Sequence, residues 1–336
     1  MHDNCRMKIG IVGVSGFGGS ELLRLTASHP GFEITYVGGA STAGQRLDTR
    51  FPGLHGHPAA ALEIVPFVPE ELAGLDLLFA SLPTGKSREP LARVPAGVKV
   101  VDVGGDHRFA DGWTYGLTEL PGQRERLRGA ARVANPGCFP AAALLALAPL
   151  LEHGLIEAQG IVVDAKTGVT GTGRGGASDF GYVQTSEDVF AYGLESHPHV
   201  PEMEEALSRL GGGRATIAFT PHLVPMKRGI LATCYATPKG APDARRLIAA
   251  AEACYRDEPF VKVVAVEQGR SAHTAWATGS NLAFLAYAIN PRTGHVIATG
   301  AIDNLGKGAA AQAVQNANLM TGQAETAGLV GLPVWP

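Results

Sequence analysis

Residues 7–23 read Met7-Lys8-Ile9-Gly10-Ile11-Val12-Gly13-Val14-Ser15-Gly16-Phe17-Gly18-Gly19-Ser20-Glu21-Leu22-Leu23. An apolar run meets glycines at 13, 16 and 19, and a helical pattern follows to Ser28 with Leu22, Leu23 and Leu25 on its apolar side. Strand, tight turn and helix start are the setting in which Gly13-x-x-Gly16-x-x-Gly19 cradles a pyrophosphate. The absent side chains let main chain approach the anion, and the first N–H groups of the helix face it. Gly13, Ser15, Gly16, Phe17, Gly18 and Gly19 are therefore read as cofactor-binding. A plain tight turn is the bland alternative.

Outward from this turn, strand-like runs at Phe32–Val37, Leu75–Ser81 and Val98–Val103 continue an α/β pattern, which implies a parallel sheet wound in one hand. The second strand runs into Val37-Gly-Gly-Ala-Ser41-Thr42-Ala-Gly-Gln-Arg46 without the acid that would bind a ribose hydroxyl. Ser41, Thr42 and Arg46 suit a 2′-phosphate instead, so the expected cofactor is NADP. Past Cys138 come a helix at Pro140–Leu151, strands at Ile161–Lys166, Ala215–Thr220, Ile230–Thr237, Leu282–Ile289 and His295–Ile302, and a last helix at Ala309–Met320. The longer connections suggest a mixed sheet. The expectation is an α/β protein. Its Rossmann-type dinucleotide-binding domain spans 1–137 with the C-terminal segment 304–336, and an α+β catalytic domain spans 138–303. The Pro-rich end from Leu332 reads as a surface tail.

Composition sets the outer limits. The 336 residues are 45% hydrophobic and 18% charged, with net charge -3, which fits a soluble globular protein and suggests no nucleic-acid or membrane partner. The longest apolar runs, Ala141–Leu151 and Leu75–Ala80, fall short of the ~20 residues that cross a bilayer. No basic stretch precedes an apolar one near Met1, so a secretory leader is not expected and the cytoplasm is. The four cysteines (5, 138, 234 and 254) form no CxxC pair and no disulfide framework; Cys5 reads as part of a tail, Cys234 of a strand-like run and Cys254 as the end of a helix-like run, where a small buried hydrophobe is the default reading of a lone cysteine.

Cys138 differs. In Asn135-Pro136-Gly137-Cys138-Phe139-Pro140 it opens a helix after a rigid turn, where the helix N-terminus favours a thiolate and spare N–H groups suit an oxyanion. The turn His197-Pro198-His199-Val200-Pro201-Glu202 offers an acid/base from His197 or His199. His-x-His is also a zinc pattern, but no cysteine or carboxylate is spaced to complete a site, and no metal is expected. Three loops carry cations suited to an anionic substrate: Lys166 and Arg174, Lys227 and Arg228, and Arg108.

Taken together these segments resemble the N-acetyl-gamma-glutamyl-phosphate reductases, the arginine-pathway branch of the semialdehyde dehydrogenase family, over nearly the whole chain. Further marks are Tyr115-Gly116-Leu117-x-Glu119-Leu120, Asp164-Ala-Lys166-x-Gly168-Val-x-Gly171-x-Gly173-Arg174, Phe219-Thr-Pro-His222-Leu-Val-Pro-Met226-x-Arg228-Gly229 and Ala301-Ile-Asp303-Asn304-Leu-Gly306-Lys307-Gly308-Ala309. The resemblance implies reduction of a small acyl phosphate through a Cys138 thioester. It implies NADP contacts that include Pro83, Gly171, Asn304, Gly306 and Lys307, and substrate contacts that include Asn135 and Glu202. It also implies a homo-oligomer, dimer or tetramer, paired through the sheet of the second domain. Rival readings are a carrier-linked aminoadipyl-phosphate reductase and a non-catalytic NADP-sensing regulator. The chain departs from the family where Thr84 replaces a histidine, Phe139 a tyrosine, and Gly104 and His107 a serine and a phenylalanine.

Overall fold

The computed structural model describes residues 6–174 and 182–334. The chain divides into two compact units. One comprises residues up to Pro136 with Ala309–Gly331, and the other Gly137–Gly308 with the segment from Leu332. Sequence reading drew these boundaries at 137/138 and 303/304. The turn after the last strand, Asn304 to Gly308, and the Pro-rich end thus group with the second unit.

In the first unit, β1 (Met7–Val12), α1 (Phe17–Ala27), β2 (Phe32–Gly38), α2 (Leu47–Arg50), β3 (Leu77–Ala80), α3 (Arg88–Ala92), β4 (Lys99–Asp102), β5 (Thr114–Tyr115), α4 (Gln123–Leu127) and β6 (Arg132–Ala134) follow in order. The strands form one sheet in the order β2-β1-β3-β4-β6-β5, and every pairing is parallel. A parallel sheet is covered on both faces, which is why Leu77–Ala80 is buried at every position.

The second unit opens with α5 (Cys138–Glu152), followed by β7 (Ile161–Thr167), α6 (Tyr182–Thr185), β8 (Phe190–Ala191), α7 (His199–Gly211), β9 (Ile217–Leu223), β10 (Ile230–Ala236), α8 (Ala244–Tyr255), β11 (Val261–Val263), β12 (Ala283–Ile289) and β13 (Val296–Ile302). The sheet order is β11-β12-β13-β10-β7-β9-β8. Its mixed character is as expected: β7/β9 and β11/β12 are parallel and the rest antiparallel. A five-residue π-turn, Gly306–Ala310, leads into α9 (Ala311–Met320), which packs in the first unit.

Helix α5 is apolar on all sides and buried from Phe139 to Leu151. It lies on β10 and β13, so close that any side chain at Gly300 would overlap the Ala142 carbonyl. Pro149 sits inside this helix and has no N–H to give the Leu145 carbonyl four residues back. The buried Tyr255 hydroxyl of α8 donates to that carbonyl instead, at 2.7 Å, which ties α8 to α5. In contrast, α9 buries polar side chains. Gln312, Gln315, Asn316 and Asn318 are fully buried and bonded to one another's neighbours, among them Thr118, Glu119, Gly116 and Asn135. No helix among the described residues is long and apolar enough to cross a membrane.

Gly300→Ala should lower unfolding stability by about 1–3 kcal/mol, the usual range for overpacking, as read by denaturant unfolding. An unchanged midpoint would show that α5 is not seated as closely as described.

Candidate active site

In the first unit, the turn between β1 and α1 is built on close main-chain approaches. Gly13 has φ +77° and any side chain there would meet the Ser81 carbonyl, while one at Gly19 would meet the Gly13 carbonyl. The N–H groups of Gly13 and Val14 donate to the Gly38 carbonyl. Gly16 caps α1 with no side-chain acceptor, and no acid stands in the first turn. The helix therefore begins with a positive dipole end and no competing acid or side-chain cap, which fits a dinucleotide phosphate. Ser15, Phe17 and Gly18 lie on the same turn, and Gly18 faces the Ser81 hydroxyl. Beyond β2, Thr42 is buried and Ser41 exposed. Arg46 forms a two-point ion pair with Asp48, at 3.1 and 2.7 Å. That acid lies two residues past the stretch the sequence reading searched, and the contact lifts the Arg46 pKa and lowers that of Asp48. Pro83 is exposed on the loop after β3.

The loop after β4 absorbs two of the departures noted above. Buried Asp102 accepts from Gly104 N at 2.9 Å and pairs with His107 Nδ1 at 2.7 Å. His107 stacks on Trp113 with ring centres 3.9 Å apart. Ser87 adds a hydroxyl to Asp102 at 3.0 Å and to Asp106 at 2.9 Å. This scaffold carries Arg108, whose Nε donates to the Asn135 carbonyl at 3.1 Å. Asn135 itself is fully buried, and its amide bonds Ala309 O and Asn316. It is a core residue of this unit, not a surface one open to substrate.

In the second unit, Cys138 is the first residue of α5, half-buried and in no disulfide. Gly137 caps the helix without a side-chain acceptor, and no acid stands in the first turn. The Gly137 N–H donates to buried Glu202 at 2.8 Å. A side chain at Gly137 would collide with His199 Nε2 and come within 2.9 Å of Glu202 Oε2, so His199 and Glu202 of α7 press on the turn before the cysteine. His197 Nδ1 accepts from His199 N at 3.1 Å. Both rings meet the edge of buried Phe139, and His197 also packs on Phe219. Tyr192, 6.0 Å from His197 between ring centres, is a neighbour that no sequence signal marked. Burial and the charge of Cys138 raise its pKa, which keeps it a phenol.

Three loops lock together beside this turn. Asp303 takes Arg228 Nε at 2.9 Å and the N–H groups of Gly279, Leu305 and Gly306. Asn304 accepts from Gly229 N at 2.8 Å and donates to Thr170 at 2.9 Å. Thr170 in turn donates to the Lys227 carbonyl at 2.7 Å, one residue before Gly171. At the far end of the turn, Gly308 lies against Cys138, where an added side chain would stand 2.9 Å from the cysteine Cβ. Thr170, Lys227, Arg228, Gly229, Asn304 and Gly306 are thus tied into one network, and the turn it holds ends at Gly308 on Cys138. Asn304 and Arg228 brace it from within the unit.

Other sequence candidates fall elsewhere. Lys166 lies in β7 between buried Ala165 and Thr167, which face α5, so its side chain projects from the opposite face. There it pairs with Asp164 at 2.7 Å instead of approaching Cys138. Lys307 is wholly buried, its Nζ 5.7 Å from the centre of the Phe260 ring. Arg174 is exposed, at the edge of the described residues.

Comparison with known proteins bears on the whole chain. Residues 8–130 match the family model "semialdehyde dehydrogenase, NAD binding domain", and 138–304 match "semialdehyde dehydrogenase, dimerisation domain". N-acetyl-gamma-glutamyl-phosphate reductase from Bradyrhizobium sp. (strain ORS 278) is 56% identical over 333 residues, 98% of this chain and 99% of that protein. The protein of that name from Brevibacillus brevis is 40% identical over 351 residues, 98% and 100% of the two chains. Among solved structures, aspartate semialdehyde dehydrogenase II from Vibrio cholerae superposes with a TM-score of 0.75 at 15% identity, covering 94% of this chain and 98% of that one. At that identity the likeness speaks for the fold alone. From motifs, fold and full-length identity, the chain belongs to the N-acetyl-gamma-glutamyl-phosphate reductases of the semialdehyde dehydrogenase family.

Proposed function

We propose that the protein reduces N-acetyl-L-glutamyl 5-phosphate to N-acetyl-L-glutamate 5-semialdehyde, with NADPH and release of phosphate, through a thioester on Cys138. The observation that carries this reading is a thiol on the first turn of an uncapped buried helix, with two histidines packed at the same turn. Helix N–H groups and the local dipole favour the thiolate. Its attack forms a C–S bond, and the same N–H groups stabilise the oxyanion. The C–O bond to phosphate then breaks and its electron pair leaves with the phosphate. His197 is the proposed proton donor. Its Nδ1 faces the His199 N–H, so Nε2 is the proposed nitrogen that gives a proton to the leaving phosphate, to be replaced from solvent. His199, pressed on Gly137, is the proposed positioning residue.

The Gly13–Gly19 turn would hold the nicotinamide cofactor, which when bound would supply the hydride that reduces the thioester. When the resulting alkoxide collapses, the C–S bond breaks, its electrons return to Sγ, and the aldehyde leaves. NADP is favoured over NAD because Ser41, Thr42 and Arg46 follow a strand whose end carries no acid. The Arg46–Asp48 pair does not oppose this. It is solvent-exposed, such pairs contribute little, and a phosphate can take the guanidinium over. Arg108, Arg228 and Lys227 are the proposed cations for the substrate. The reading also places the enzyme in the cytoplasm as a homo-oligomer, paired through the sheet face that carries Val162, Asp164 and Lys166.

Run in reverse, the enzyme given N-acetyl-glutamate semialdehyde and NADP should form NADPH beyond one equivalent per chain only when phosphate is present, and Cys138→Ala should abolish this while cofactor still binds. Phosphate-independent turnover, or turnover by Cys138→Ala, contradicts the mechanism. His197→Gln should slow turnover by roughly 10²–10⁴-fold and His199→Gln by less, and the reverse order would exchange their roles. Arg46→Ala should cut the preference for NADPH over NADH by about tenfold or more, the effect of one charged hydrogen bond. An unchanged ratio of kcat/KM values would remove Arg46 from cofactor selection.

A further inference from the structure

Away from Cys138, at the other end of α5, three side chains of different chemistry converge. Glu152 is the last residue of α5 and His153 follows it, while Cys254 comes from the last turn of α8, about a hundred residues on. Their ligating atoms all lie within 4.8 Å of one another, the one such group among the described residues. The spacing of histidines and cysteines along the chain gave no hint of it, because the fold brings in the third ligand.

We infer that Glu152, His153 and Cys254 form a binding site for a thiophilic divalent cation of the zinc type, with water completing the coordination. The geometry is nearly made. Cys254 Sγ stands 3.4 Å from Glu152 Oε2 and 3.9 Å from His153 Nδ1. A tetrahedral zinc with bonds of ~2.3 Å to sulfur and ~2.0 Å to nitrogen or oxygen sets such ligands about 3.5 Å apart. The Cys254 thiol now donates its proton to Glu152. A cation would take the place of that proton, binding thiolate and carboxylate together and releasing one H⁺ to solvent. His153 Nδ1 contacts the Pro149 carbonyl at 3.0 Å, and that carbonyl also receives the His153 backbone N–H at 3.1 Å. Turning the imidazole lone pair to a metal leaves the carbonyl still bonded.

Two further features suit a cation. The helix C-terminus carries partial negative charge, and Tyr255, next to Cys254, already pins α8 to α5 through Leu145. Glu152 and His153 are exposed, so ion and water can enter. Thiolate, imidazole and carboxylate together select zinc or cobalt over magnesium or calcium. Without metal, burial and Glu152 push the Cys254 thiol up to about 12. The bound ion would clip α8 to the far end of the helix that carries Cys138.

The test is Co²⁺ titration of metal-free protein, followed by absorption spectroscopy for the thiolate-to-cobalt charge-transfer band. Cys138→Ala is the background, so that the other half-buried thiol among the described residues cannot contribute. One equivalent should raise the band in Cys138→Ala, and Zn²⁺ should displace it. The band should be lost in Cys138→Ala/Cys254→Ser and the cobalt affinity weakened about tenfold or more by adding His153→Gln. Cys254→Ser alone should keep its turnover. No band in Cys138→Ala, or an equal band with and without Cys254, overturns the site. If the double variant does not fold, an unchanged affinity in the His153→Gln protein overturns it equally.

Discussion

The hydrogen bond from Gly137 N–H to the buried Glu202 carboxylate is the constraint on which the second unit's site depends. It satisfies one donor at a helix start that has no side-chain cap. It also fixes α7 against the turn before Cys138, which brings the histidine pair to the cysteine. Only glycine at 137 permits that approach, because His199 and Glu202 occupy the space a side chain would need. Glu202 is thus a brace for the turn.

The far side of the site is set the same way. Asp303 gathers Arg228 and three backbone N–H groups, and the turn it shapes ends with Gly308 on Cys138. Underneath, α5 buries Leu144, Leu145, Leu147 and Leu150 completely or nearly so, each contributing roughly 1.5–3 kcal/mol. The Cys138 thiol can stand half-exposed at the end of this helix because the remainder of the helix is fixed in the core.

Much of this was legible in the sequence. The long strands and α1, α5 and α9 carry apolar periods strong enough to read, and their observed ends lie within two or three residues of the expected ones. The short strands β5, β6, β8 and β11 have two or three residues each, too few to show a period. The motif around Cys138 and the 197–202 turn could be read as chemistry, since residue type and helix-start context carry it. What stayed hidden depends on side-chain direction or on distant partners. Lys166 is on the far face of β7 by simple alternation, Asn135 serves the buried amide network of α9, and Arg46 meets Asp48 just past its strand. Tyr192 lies in a loop without a motif, and Cys254 gains its neighbours only when α8 docks.

The central claim is that Cys138 carries the acyl group. It is tested most directly by intact-protein mass spectrometry after adding N-acetyl-glutamate semialdehyde and NADP without phosphate. With no acceptor, oxidation should stop at the thioester, giving one N-acetyl-glutamyl adduct per chain that maps to the Cys138 peptide and disappears when phosphate is added. NADPH formation without an adduct, or an adduct on another residue, would contradict the account.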